Sequence, residues 1–106
     1  MKPAEEILQS AGEHIKDRAV TYDSRGGERS MEATVGAFKA ITGKDITPEQ
    51  GWLFMVLLKA VRSQQGNYKL DNYEDGSAYF ALMGEQAAKD NDAPPHPLPE
   101  FVDPYG

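Results

Sequence analysis

The segment TPEQGWLFMVLLKAVRS, from Thr47 to Ser63, constrains the fold of this chain more than any other part of it. Thr47, Pro48 and Gln50 stand in the order of an N-cap, a first-turn proline and a capping-box partner, which predicts that a helix begins here. The helix is apolar on every side as far as Leu58, and such a helix lies at the centre of a fold or in a subunit interface. Because a short four-helix monomer could not cover all of its sides, the pattern favours an oligomer.

Three further helices are predicted around this one. The first has its apolar residues at helical spacing, the second ends at Gly43, and the fourth begins with Asp71 as N-cap and Glu74 in a second capping box. The predicted ranges are about 3–18, 30–42 and 71–89, with a loop over about 20–27. The fold class is therefore predicted to be all-α, a four-helix bundle-like domain.

The chain changes character after Lys89. Residues 90–106 read DNDAPPHPLPEFVDPYG and hold five of the seven prolines, which lack the backbone N–H that a helix interior needs. We therefore expect a helical domain over residues 1–89 and an extended proline-rich C-terminal tail over residues 90–106. Phe101 and Tyr105 would anchor this tail to the surface or to a partner.

Composition excludes several classes of function. The 106 residues carry a net charge of −6 and no basic stripe, so binding to the nucleic acid backbone is disfavoured. The chain has no cysteine, which excludes disulfides, thiolate metal sites and cysteine nucleophiles. The longest apolar run, from Trp52 to Leu58, is too short to span a bilayer, and the acidic N-terminus is unlike a signal peptide. We expect a cytoplasmic protein with no membrane or nucleic acid partner.

Acidic residues gather at the start of the fourth helix. Asp71 and Asp75 are four residues apart and share one helix face, and Mg²⁺ prefers carboxylate oxygens. With Glu32 of the second helix they form a candidate Mg²⁺ site, and Asp71, Asp75 and Glu74 are the candidate catalytic residues. The alternative is that Asp71 and Glu74 only cap the helix and complement its dipole, which leaves Asp75 unexplained.

Three cations precede this acidic cluster. Lys59 and Arg62 stand one helical turn apart near the end of the third helix, and Lys69 follows a short polar turn. Cations near a helix C-terminus complement its dipole, which is the structural interpretation. The functional interpretation is phosphate binding, with Arg62 as a fork and the two lysines as point charges. Because Lys59 lies in an otherwise apolar helix, we expect it to pair with a carboxylate of the fourth helix.

The order of these residues, with the segments ITPEQGWLFMVLLKAVRS and YKLDNYEDGSAYFALMGE, resembles a known family. It is similar to small phage-encoded domains related to the all-α nucleoside triphosphate pyrophosphohydrolases, the MazG-like superfamily. The resemblance covers about residues 7–85 and is most specific over residues 59–79. It implies helical bundles that form dimers or tetramers, and Mg²⁺ held by an E-x-x-E segment and a later E-x-x-D segment.

The resemblance also implies a reaction, in which water attacks a Mg²⁺-bound nucleoside triphosphate and yields the monophosphate and pyrophosphate. Asp75 matches the later segment, whereas Asn72 stands where its glutamate would be, and Glu28 and Glu32 lack the interval of the first segment. A divergent protein that binds nucleotides without hydrolysing them is the second form of this hypothesis. The alternative is a non-enzymatic phage accessory protein that binds or inhibits a host protein, which the acidic surface and the apolar third helix favour.

Overall fold

The computed structural model describes residues 1–22 and 30–92. Their secondary structure consists of four α-helices, with no strand in these two ranges. The helices are α1 (Ala4–Tyr22), α2 (Ser30–Thr42), α3 (Pro48–Ser63) and α4 (Leu70–Asn91). The predicted all-α class and the order of its four helices are therefore confirmed. Most of the predicted loop, residues 23–27, and the tail from residue 93 onward lie outside the described residues.

Local sequence signals set both ends of the α2–α3 connection. The Thr47 hydroxyl accepts a hydrogen bond from the Gln50 N–H at 3.1 Å, and the Gln50 side chain accepts one from the Thr47 N–H at 2.9 Å. Gly43 follows α2 with a φ of +75°, a left-handed conformation that glycine adopts without steric cost. Its N–H donates to the Lys39 carbonyl at 2.8 Å. The predicted capping box and the glycine stop are thus confirmed.

The start of α4 differs from its prediction. The helix begins at Leu70 with Lys69 as the N-cap residue, and no side chain caps it, so the predicted N-cap at Asp71 is wrong. Glu74 does not close the predicted capping box, because its carboxylate accepts a hydrogen bond from Lys2 Nζ at 2.6 Å instead. A tertiary ion pair has therefore taken the place of a local cap.

Both long helices continue past their predicted ends. α1 extends to Tyr22 rather than ending at Arg18, and α4 extends to Asn91, so Asp90 and Asn91 belong to the helix rather than to the tail. The two-residue difference at the end of α4 is common where helix ends fray, whereas the four-residue extension of α1 adds a further helical turn. Neither extension changes the helix on which a candidate site residue lies.

Helices α3 and α4 form the central pair of the described fold. They pack along each other, α2 packs on α3, and α1 packs on α4. Trp52 of α3 stacks on Tyr79 of α4 with 5.8 Å between ring centroids, which fixes the two helices against each other. The buried apolar side chains of the core are Ala11, Val35, Trp52, Ala78 and Leu82.

Large apolar side chains on α3 and α4 remain exposed. Phe54 is 67% exposed, Phe80 is 58% exposed and Leu57 is 53% exposed. The described residues therefore leave part of α3 uncovered. This agrees with the sequence-based expectation that a short four-helix monomer cannot cover all sides of this helix. A surface of this kind is what a subunit or partner interface buries, and the oligomeric state stays a prediction. Within the described ranges, no helix has the length and apolarity needed to cross a membrane.

Candidate functional site

The last turn of α3, the α3–α4 connection and the first turn of α4 enclose a cleft of about 490 Å³, which we call the polar cleft. The three candidate phosphate-binding residues all line it, together with the candidate acid Asp71. The remaining lining residues add side-chain amides from the connection and from α4. The full lining is Lys59, Arg62, Gln65, Gly66, Asn67, Lys69, Asp71 and Asn72.

The turn between the two helices brings these cations together. Gly66 has a φ of +65°, a conformation that favours glycine, and it lets the chain reverse within a few residues of Ser63. This reversal brings Lys69 into the same cleft as Arg62, which lies in the last turn of α3. No side chain caps α4. The Asn72 N–H donates to the Lys69 carbonyl at 3.2 Å, which leaves the N–H groups of Leu70 and Asp71 to face an anion, and the helix dipole also favours one.

Lys59 is held in place by an ion pair at the inner wall of the polar cleft. Its Nζ lies 3.1 Å from Asp75 Oδ2, and the two side chains are only 11% and 19% exposed. The other oxygen of the same carboxylate lies 4.0 Å from Arg18 Nη2. The prediction that Lys59 pairs with a carboxylate of the fourth helix is confirmed. Asp75 therefore sits between two cations rather than in the cleft lining.

Glu74 occupies a different position, at the contact between α4 and the N-terminus. Its Oε2 accepts from Lys2 Nζ at 2.6 Å, and its Oε1 lies 3.9 Å from His14 Nε2. Hydrogen bonding with Lys2, and then with Ser10, holds the pKa of Glu74 below its ordinary value of 4.5, and these effects outweigh burial, which would raise it. The structure thus gives Glu74 a structural contact that ties residue 2 to α4.

This contact predicts a pH dependence of stability. A carboxylate whose pKa is lower in the folded state stabilises that state above its unfolded pKa, and the stabilisation is lost as the pH falls through the folded value. Thermal melts from about pH 6 to about pH 3 should therefore show less loss of stability on acidification for Glu74→Gln than for the parent chain. Lys2→Gln should act in the same direction. An unchanged acid slope in both variants would contradict the prediction.

The predicted Mg²⁺ ligands are spread over two helices. Glu32 lies in the first turn of α2, which packs on α3, whereas Asp71 and Asp75 are on α4. No three acidic or histidine side chains of the described residues form a group that could hold a metal ion. Asp71 is the carboxylate that lines the polar cleft, and Mg²⁺ is often held by one or two carboxylates together with substrate phosphates. Asp71 therefore fits a Mg²⁺ ion that arrives with a triphosphate, and the three-residue set stays a prediction.

Sequence reasoning gave no role to two residues near the cleft. Asn72, in the first turn of α4, is buried and lines the cleft. Arg18 reaches Asp75 from α1. A sequence signal for Arg18 exists, because it follows Ala11 and Ile15 at helical spacing on the apolar face of α1. A cation at such a position is expected to find a partner inside the fold.

Comparison with known proteins identifies one family. The model of the family described as Domain of unknown function (DUF6378) matches residues 6–87, which include all four helices apart from the outermost residues of α1 and α4. No curated protein and no solved structure gives a significant match to the chain.

Proposed function

We propose that this chain, which belongs to the DUF6378 family, binds a nucleoside triphosphate or its deoxy form by holding the phosphates in the polar cleft. The observation that carries this proposal is the convergence of Lys59, Arg62 and Lys69 on one cleft beside the uncapped start of α4. In a chain with a net charge of −6, three cations in one concave site mark a local preference for anions.

The chemistry of the lining favours phosphate over a single carboxylate as the ligand. An arginine fork and the Lys69 ammonium can balance negative charges of a polyphosphate. Lys59 shares its charge with Asp75 at 3.1 Å and can add an ammonium N–H donor to the phosphate oxygens. The amides of Gln65, Asn67 and Asn72 can donate further hydrogen bonds to phosphate oxygens. Asp71 would repel a bare polyphosphate, so its presence in the lining favours one that carries Mg²⁺.

A pair of tyrosines beside the polar cleft supports a nucleotide rather than inorganic polyphosphate. Tyr68 and Tyr73 are exposed and stacked on each other with 5.8 Å between ring centroids. Each stands next in sequence to residues that line the cleft, Asn67 and Lys69 for the first and Asn72 for the second. An exposed aromatic ring at this position offers a surface on which a base can stack.

The Mg²⁺-dependent pyrophosphohydrolase reaction implied by the MazG-like resemblance is the finer form of this proposal. Bound Mg²⁺ would neutralise charge on the phosphates, and Asp71 would hold it from the protein side. Lys59, Arg62 and Lys69 would hold the triphosphate oxygens and exclude other orientations of the substrate. Among the described residues, Asp71 is the carboxylate that the cleft lining supplies, and a second copy in a dimer or tetramer would add further ones. Nucleotide binding is therefore the part of the proposal that the described residues of one chain support.

The alternative function, a module that binds a host protein, has one specific observation in its favour. The exposed apolar side chains of α3 and α4 form a surface that a partner or a second copy would bury. Its main members are Leu53, Phe54, Leu57, Val61 and Phe80. This surface does not include the cations of the polar cleft, so the two functions can be tested separately.

Thermal melting with a panel of ribo- and deoxyribonucleoside triphosphates, with and without Mg²⁺, tests the proposal. A ligand that binds only the folded chain raises the melting midpoint. Arg62→Gln and Lys69→Gln should each weaken the best nucleotide by about tenfold or more, because each removes a charged hydrogen bond. Lys39→Gln is the matched control. Lys39 lies on α2, outside the cleft lining, and its Nζ lies 3.3 Å from Asp45 Oδ2.

Release of pyrophosphate, measured with Asp71→Asn beside the parent chain, then distinguishes an enzyme from a binder. Metal-dependent release that this variant loses supports the pyrophosphohydrolase. Binding without release supports the divergent nucleotide binder. No shift of the midpoint with any nucleotide would overturn the proposal, and would favour the protein-binding module.

A further inference from the structure

A second cavity, separate from the polar cleft, lies where residues of all four helices meet. Its volume is about 270 Å³, and we call it the Arg18 cavity. It shares no lining residue with the polar cleft, and neither the sequence patterns nor the proposed function assigns it a ligand. The lining consists of Arg18, Ser30, Met31, Thr34, Trp52, Met55 and Tyr79.

The guanidinium of Arg18 is only partly used by its protein neighbours. It lies over the ring of Tyr79 at 5.0 Å from the centroid, and its Nη2 donates to the Tyr79 hydroxyl at 3.4 Å. The same Nη2 lies 4.0 Å from Asp75 Oδ1. Nη1 is buried and has no hydrogen-bond partner among the described residues. A buried charged donor without an acceptor is costly, so the guanidinium is not saturated by its protein neighbours. Arg18 also lines the cavity and its side chain is 26% exposed, so the guanidinium is a candidate binding group for an anion there.

We propose that the Arg18 cavity binds a small organic monoanion, a carboxylate on an apolar body. Asp75 lies 4.0 Å from the guanidinium and already offsets part of its charge, so little positive charge remains to compensate the larger desolvation cost of a dianion such as a phosphate monoester. Met31, Met55 and Trp52 form apolar walls that suit a hydrocarbon or aromatic body. Ser30, in the first turn of α2, places a hydroxyl and the positive end of that helix at the same cavity. The Thr34 hydroxyl donates to the Ser30 carbonyl at 2.8 Å, so Thr34 forms part of the cavity wall rather than donating to the anion.

The size of the cavity sets the size of the ligand. At about 30 Å³ per water molecule in the liquid, the space corresponds to roughly nine heavy atoms. A nucleoside triphosphate is far larger, so this ligand is not the one proposed for the polar cleft. Benzoate has the charge, shape and size that the cavity selects, and it therefore serves as the probe. Phenyl phosphate and benzamide supply a dianionic and a neutral analogue of similar shape.

The methionines report ligand binding between α2 and α3. Met31 and Met55 also line an apolar cavity of about 410 Å³ that shares Thr34 with the Arg18 cavity. The comparison with benzamide and the Arg18 variants therefore assigns the ligand to one of the two cavities. The chain has four methionines, of which Met31 and Met55 line the Arg18 cavity, while Met1 and Met83 do not. In methyl NMR spectra of the full chain labelled at methionine, titration with benzoate should shift Met31 and Met55 in a saturable manner and leave Met1 and Met83 unmoved. Benzamide and phenyl phosphate should each give at least tenfold weaker binding. Equal shifts of all four methyl groups, or equal binding of the three compounds, would overturn the proposal.

Two variants tie the binding to Arg18. Arg18→Gln removes the charge, and Arg18→Lys keeps a positive charge near Asp75 and Tyr79 while removing the planar guanidinium fork that suits a carboxylate. Arg18→Lys therefore keeps the test informative if Arg18→Gln does not fold. Both should weaken benzoate at least tenfold, whereas Arg62→Gln, which alters a cation of the polar cleft, should leave the Met31 and Met55 shifts unchanged. Benzoate binding that survives Arg18→Lys at full strength, or no saturable shift in the parent chain, would show that the cavity does not bind such an anion.

Discussion

Asp75→Ala is expected to lower the free energy of unfolding by about 2–3 kcal/mol, because it leaves the largely buried Lys59 ammonium without its anionic partner. The nearby Arg18 guanidinium loses the same carboxylate. Full burial would make the loss larger, but Lys59 also lines the polar cleft, where water can partly solvate it. In a domain of about this size the midpoint of thermal melting should fall by roughly 10–20 °C. Urea unfolding of the variant and the parent chain measures the difference directly.

An exposed ion pair of the same chemistry is the matched control. Asp45→Ala breaks the contact of Asp45 with Lys39, in which both side chains are well exposed, and should change stability by no more than about 0.5–1 kcal/mol. The double variant Lys59→Met with Asp75→Leu should recover much of the loss, because it removes the unpaired charge. If Asp75→Ala and Asp45→Ala unfold at the same urea concentration, the Lys59–Asp75 pair does not stabilise the fold.

Because Asp75 belongs to this ion pair, a substitution of Asp75 changes stability as well as any function it has. A loss of nucleotide binding or hydrolysis in Asp75→Ala would report a weakened fold as well as any lost ligand. Asp71 is exposed and lines the polar cleft, so Asp71→Asn changes the cleft with less effect on the core. Among the predicted carboxylates, Asp71 is therefore the one on which an activity assay should depend.

The features that the sequence predicts correctly are those set by residues close together in the chain. The capping box of Thr47 and Gln50 spans three residues, and the glycine stop of α2 depends on the backbone of Gly43 alone. The partner of Lys59 was also predictable, because a charge within an apolar helix needs an opposite charge on the helix that packs against it. The cations of the polar cleft converge for a related reason, since a short turn with Gly66 joins their two helices.

The features that the sequence does not predict depend on how distant helices pack. Asp71 and Glu74 have the spacing of a capping box, but Lys2 competes for Glu74 from the other end of the chain. Glu32 is predicted to share a Mg²⁺ site with Asp71 and Asp75, yet the helix that carries it, α2, packs on α3, whereas the two aspartates lie on α4. Periodicity says which face of a helix is apolar, whereas the choice of neighbour for that face is made by tertiary packing.

Replacing Gly51 of α3 or Gly36 of α2 by alanine is expected to change stability in opposite directions. A Cβ at Gly51 would overlap Met31 Sδ and would lie 3.0 Å from Met31 Cγ and 3.1 Å from Val35 Cγ1. The thioether can move, but the valine is stiff at χ1, so α2 must shift outward. Overpacking of this kind costs about 1–3 kcal/mol, and the gain in helix propensity offsets about 1 kcal/mol of it. Gly51→Ala should therefore be destabilising by up to about 2 kcal/mol.

Gly36→Ala, on α2 itself, supplies the control with the opposite sign. A Cβ at Gly36 meets no atom within 4 Å, so the variant gains helix propensity without a clash and should stabilise the chain by about 0.5–1 kcal/mol. Chemical unfolding of both variants and of the parent chain measures the change in the free energy of unfolding for each substitution. Because the two substitutions are chemically identical, any difference between them reports the close approach of α2 to α3 at Gly51. If Gly51→Ala is as stable as Gly36→Ala, the two helices do not pack at that distance, and the small core of the chain would have to be held together elsewhere.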